Sequence, residues 1–256
     1  QLLAYLALLL LGVGTAVTGL FPSVFGLYIT TVVMSIGFHY YETVASSLAL
    51  QWFEKDKAPV LFGQLIAAGS AASIVAFGLL WFAFEQGGVG YTTMYFIGGG
   101  ITIVIALVAW VGFPTFPAKV VQHKHMVLRR RYWLYYVLTF LSGARRQIFV
   151  VFAGFLLVEK FNYDVADIAA LFILNAAINI PLAPAIGRLI ARFGERRALI
   201  FEYIGLVAVF TAYALVDDAR IAGGLYVLDH MFFAMAIAMR TYFQKIADPA
   251  DIASTA

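Results

Sequence analysis

His39 and Glu42 stand one helical turn apart in a stretch that is otherwise apolar. A histidine and a carboxylate at that spacing share a helix face and could pass a proton between them. Arg145 and Arg146 interrupt a second apolar stretch, with Gln147 beside them, and Asp229 and His230 interrupt a third. An ionisable group at mid-bilayer costs roughly 2.5–3.5 kcal/mol on insertion scales, so such groups mark solute sites, proton relays or ion pairs that tie helices together. The His-x-x-Glu pattern also occurs in metal sites, but no third ligand accompanies it. No nucleophile with a base beside it is evident either. The sequence therefore assigns no catalytic residue, no metal ligand and no cofactor.

Helical spacing sorts these groups by face. Ser35, His39, Glu42 and Ser46 form one polar stripe, and Tyr135, Thr139, Ser142 and Arg146 form another. Arg145 points about 100° away from Arg146, onto the face of Leu138, Leu141 and Ile148. Arg146 is thus expected to meet a solute and Arg145 to meet a neighbouring helix. Tyr226, Asp229, Phe233 and Arg240 share a third face, with His230 adjacent. Asn175 and Asn179 are placed to hydrogen-bond between helices or to make a gating contact. Ala68, Gly69, Ala72 and Ser73 form a small-residue stripe that would let two helices approach closely.

The elements that must carry these faces are long and apolar. Hydrophobic residues make up 63% of the chain and charged ones 12%, which excludes an ordinary soluble domain. Runs near 1–20, 24–48, 58–84, 92–113, 133–158, 164–186, 198–216 and 220–240 each approach the span of a membrane helix. None alternates like a barrel strand. The expected fold class is all-α, a polytopic bundle of membrane helices. The absence of cysteine removes any disulfide framework or thiolate metal site.

Basic residues set the orientation. Lys55, Lys57, Lys119, Lys124, Arg129, Arg130, Arg131, Arg188, Arg192, Arg196, Arg197, Arg240 and Lys245 fall on one side, against Lys160 and Arg220 on the other. Both ends of the chain are then expected in the cytoplasm. The net charge of +3 follows from this topology, and no nucleic-acid partner is implied. Pro114 and Pro117 end the fourth run, and residues 114–131 read as a cytoplasmic linker between helices of residues 1–113 and of residues 132–256. Arg129, Arg130 and Arg131 beside Tyr132 and Trp133 read as an interfacial anchor.

Gly187, Arg192, Gly194, Arg196 and Arg197 lie between two apolar runs, and their glycines suit a tight cationic turn. The segment resembles the cytoplasmic loop signature of the major facilitator superfamily, roughly Gly-x-x-x-Asp-Arg/Lys-x-Gly-x-Arg/Lys-Arg/Lys. Ala191 occupies the acidic position, and Glu202 could substitute by pairing with Arg192 or Arg196. A repeat accompanies the signature. Trp52-Phe53-Glu54-Lys55, then Pro59, aligns at one constant offset with Tyr242-Phe243-Gln244-Lys245, then Pro249, and it sets His39 opposite Asp229 and Tyr40 opposite His230. The resemblance implies two six-helix halves related by a pseudo-twofold axis, of which these runs would be helices three to ten. It also implies that the second, fifth and eighth runs line a central cavity.

The resulting expectation is a secondary active transporter of a small solute, working by alternating access. It would sit as an integral protein in a bacterial inner membrane. Arg146, Gln147, His39, Tyr40, Asp229, His230 and Tyr226 are the candidate solute contacts, with Tyr41 also shaping the pocket. Arg146 favours an anionic or carbonyl-bearing solute. Glu42, His39 and Asp229 are the candidates for carrying a coupling proton, and membrane lipid is the remaining partner. A non-transporting sensor or scaffold, or a membrane-embedded enzyme, are the rival readings.

Overall fold

The computed structural model describes residues 1–85, 87–115, 119–123 and 125–255. Expectations that fall on Pro117, on Lys124 and on the side chain of Gln147 lie outside the described residues. No strand occurs among those described. The helices are α1 (Leu2–Thr18), α2 (Val24–Trp52), α3 (Ala58–Glu85), α4 (Tyr91–Gly112), α5 (Trp133–Glu159), α6 (Val165–Phe193), α7 (Glu195–Leu215), α8 (Ala219–Phe233), α9 (Ala236–Ile246) and α10 (Ile252–Thr255). Apolar segments of this length must satisfy their backbone polar groups internally in lipid, which leaves the helix as the available form.

Among the described residues, six helical segments are long and apolar enough to cross a membrane, α8 and α9 counting together as one. α1 is apolar but shorter, at 17 residues. Polar groups punctuate the helices. The Asp164 carboxylate accepts from the Asp167 backbone N–H at 2.7 Å, and Asp167 returns the bond at 3.0 Å, closing a capping box on α6. Asp218 caps α8 by accepting from the Arg220 and Ile221 N–H groups.

The chain forms two compact units. The first comprises residues 1–52, 78–127 and 248–256. Here α1 packs against α2 and α4. The approach is close enough that a methyl group on Gly37 would strike the α1 backbone at Leu11, and one on Gly99 would strike Gly12 and Ala16. In the same unit the linker is pinned to the short 249–255 segment. Gln122 donates to the Pro249 carbonyl at 2.8 Å and accepts from the Ala253 N–H at 2.9 Å. The His123 ring lies 3.0 Å from the buried Asp251 carboxylate.

The second unit comprises residues 53–77 and 128–247. Its core gathers Phe149, Ala153, Leu157, Val216, Ala222 and Tyr226. Phe149 stacks on Tyr226 at 5.5 Å and meets Phe210 and Tyr213 edge-on. The start of α3 presses on α6 where a methyl group on Gly63 would hit the Ala183 carbonyl and one on Gly187 the Pro59 carbonyl. The close approach expected at Gly69 is therefore not made there. Gly69 is exposed and faces open space, because its stripe turns away from this contact.

Three further expectations are corrected. Gly187 is not part of a turn, since α6 continues to Phe193 and carries Arg188 and Arg192 on its last turns. Cations suit that end of a helix, where the last carbonyls face outward. Gly194 alone makes the turn, at φ 85°, a conformation that favours glycine. Tyr132 is not an interfacial anchor, because it is buried against Phe243 with their rings 5.8 Å apart, while Trp133 stays exposed. Arg240 does not share a continuous face with Asp229, since the helix breaks at Ala234–Met235 and Arg240 lies over the Phe62 ring instead.

Candidate functional site

A buried polar cluster inside the second unit is built from α5, α7 and α8. Arg145 projects from the apolar face of α5 with its side chain 14% exposed, too little surface for an unpaired guanidinium. Its Nη1 lies 3.5 Å from Asp229 Oδ1, and its Nη2 lies 3.9 Å from Glu202 Oε1. Phe233 forms a floor, its ring 5.0 Å from the guanidinium carbon. Asp229 is 0% exposed and Glu202 2%. Two carboxylates thus face one cation, and the cluster carries one formal negative charge in excess when both are ionised.

These are charge contacts without hydrogen bonds. Among the described residues, Arg145 Nε and Nη1, both Asp229 oxygens and Glu202 Oε2 find no hydrogen-bond partner. Buried polar groups in folded proteins are nearly always bonded, so a cluster left this loose calls for a functional explanation. Glu202 corrects one expectation. It pairs toward Arg145 in the helix interior and not with Arg192 or Arg196, because two turns of α7 separate it from the loop. The acid that serves the loop is Glu195, whose carboxylate lies 2.7 Å from Lys245 Nζ.

An aromatic wall adjoins the cluster. His230 Nδ1 lies 2.9 Å from the Tyr226 carbonyl, which can only accept, so Nδ1–H is the donor. Its ring packs on Tyr226 at 4.3 Å and Phe233 at 4.8 Å. Tyr226 and Asp229 are buried, whereas His230 is half-buried and Arg146 exposed.

Arg146 is exposed, as its polar face demands. Lower on the same stripe, Tyr135 stacks on Phe243 at 4.3 Å and Thr139 reaches the Met239 sulfur at 3.6 Å. That end of the stripe is packed against α9. Asn175 is 5% exposed, and neither it nor Asn179 Oδ1 has a hydrogen-bond partner among the described residues. In the first unit, His39 Nδ1 lies 3.9 Å from Glu42 Oε2, with side chains 70% and 40% exposed. Tyr40 is exposed beside them and Tyr41 half-buried.

Sequence reasoning overlooked Glu202 as a member of the cluster. A signal was present: an arginine on an apolar face needs a buried acid, and few acids lie inside the apolar runs.

Membrane-length helices around a buried, incompletely bonded ionic cluster define a polytopic membrane protein. The Major Facilitator Superfamily model matches residues 2–256, and the chain belongs to that family. It is accordingly an integral membrane protein and a membrane transporter in general class. Among curated proteins, none matches the chain.

Proposed function

We propose that this chain is the core of a secondary active transporter that moves a small anionic or carbonyl-bearing solute by alternating access, coupled to protons, in a bacterial inner membrane. The observation that carries the reading is the contrast between adjacent arginines. Arg145 is held between two buried carboxylates, whereas Arg146 is exposed one residue on. Arg146 then attracts the solute, with Gln147 and His230 completing its contacts, while His39 and Tyr40 are solute contacts of the first unit.

Asp229, with Glu202, holds the coupling proton. One cation cannot neutralise two carboxylates, so binding a proton balances the cluster and losing it unbalances the cluster. His39 occupies the equivalent place in the repeat and, with Glu42 one turn on, would relay a proton on that side. The signature residues Gly187, Arg192, Gly194, Arg196 and Arg197 act in the conformational change and do not bind solute. Family membership supports a solute as the cargo, and the ionic cluster supports a proton as its companion.

The test uses the whole protein in liposomes loaded with a pH-sensitive dye and challenged with a panel of small carboxylates. At least one should move together with protons. Arg146→Ala should abolish that movement and leave the melting temperature unchanged. Asp229→Asn should stop proton movement while solute counterflow continues. Solute binding without any translocation would overturn the proposal in favour of a sensor.

A further inference from the structure

An apolar groove of about 520 Å³ runs between α6, α7 and α8. Ile186 and Ile190 line it from α6, Phe201 from α7, and Leu228, Met231 and Phe232 from α8. Arg197 is its one charged lining residue. Arg197 belongs to the first turn of α7, so it marks the end of the groove nearest the cationic α6–α7 turn.

Three features of that end point to an anion. No acidic partner of Arg197 is found among the described residues, and its side chain is exposed. The α7 N-terminus has no side-chain cap, which leaves backbone N–H groups and the positive end of the helix dipole facing outward. The local acid, Glu195, is occupied by Lys245. Arg188, Arg192 and Arg196 add further positive charge along the same turn.

We infer that this groove is a binding site for an anionic phospholipid, with the headgroup phosphate on Arg197 and the α7 N-terminus and an acyl chain along the groove. An apolar slot with a cationic mouth matches that amphipathic ligand. A soluble solute would leave the slot unfilled or the cation unused. Surplus positive charge favours an anionic headgroup over a zwitterionic one, whose amine would be repelled. The site is separate from the Arg145 cluster and does not depend on the transported solute.

The experiment purifies the whole protein in mild detergent and adds phosphatidylglycerol and phosphatidylcholine in equal amounts. Native mass spectrometry then counts the retained lipids. The wild type should keep phosphatidylglycerol in preference. Arg197→Gln should reduce that preference about five-fold, the factor one arginine is worth near an anionic lipid surface. Ala198→Phe, which fills the groove wall, should reduce retention of both lipids, while Arg220→Gln on the far side should change nothing. A phosphatidylglycerol carrying a photoreactive acyl chain should label peptides from α6, α7 and α8 in the wild type, which decides the matter even if Ala198→Phe fails to fold. Equal retention of the two lipids, an unchanged preference in Arg197→Gln, or labelling elsewhere would overturn the site. Labelling elsewhere would leave a protein segment as the occupant of the groove.

Discussion

Replacing Arg145 with methionine should destabilise the protein far more than removing the whole ionic cluster. At 3.5 and 3.9 Å, each carboxylate attracts the guanidinium by about 4–5 kcal/mol at an effective dielectric of about 20. Burial of all three ions opposes this by several kcal/mol per ion, so the intact cluster adds little net stability. Arg145→Met removes the attraction and leaves Asp229 and Glu202 buried and uncompensated, a loss of about 3–5 kcal/mol. At about 2–4 °C per kcal/mol for a chain of this size class, the melting temperature should fall by about 10 °C. The triple variant Arg145→Met, Glu202→Leu, Asp229→Leu removes all three charges together and should recover most of that fall. The assay is thermal unfolding in detergent, followed by intrinsic fluorescence, on the wild type, the single and the triple variants. A single variant within about 2 °C of wild type, or a triple variant no better than the single, would refute the electrostatic account.

Three other outcomes are expected. Tags at Gly87 and Asp218 should be accessible from outside the cell and tags at His123 and Arg192 from the cytoplasm; a cytoplasmic tag at Gly87 would invert the orientation. Glu42→Gln should abolish pH-driven accumulation in vesicles but spare counterflow. Its melting temperature should barely move, because an exposed i,i+3 pair at 3.9 Å is worth under about 1 kcal/mol. Gly63→Ala should lower stability by forcing α3 off the Ala183 carbonyl, whereas Gly69→Ala should be tolerated, and equal effects on melting temperature would show that the helix crossing lies elsewhere.

The helices themselves were legible because lipid leaves an apolar run few alternatives, and a run of the right length names its own structure. Their ends were less so. The charges on Arg188 and Arg192 suggested a loop, yet a helix can extend past the apolar core when its last turns carry cations. The α8–α9 break has no proline or glycine to announce it, since residues 234 and 235 are Ala and Met. Faces were legible within a helix and not between helices. The 100° separation of Arg145 from Arg146 could be read from spacing, but the choice of Glu202 as a partner depends on how α7 is rotated against α5. Gly63 and Gly69 look alike in sequence for the same reason, and only packing separates them.

The repeated exit sequences have one more consequence. Gln244 donates to the Phe53 carbonyl at 2.8 Å, and Lys55 Nζ lies 3.5 Å from the Lys245 carbonyl, 190 positions along the chain. That separation equals the offset of the repeat, so Lys55 and Lys245 are counterparts that touch each other. Both contacts lie within the second unit, so a covalent bridge between positions 55 and 245 would tie the α2–α3 connection to the end of α9 without spanning the two units.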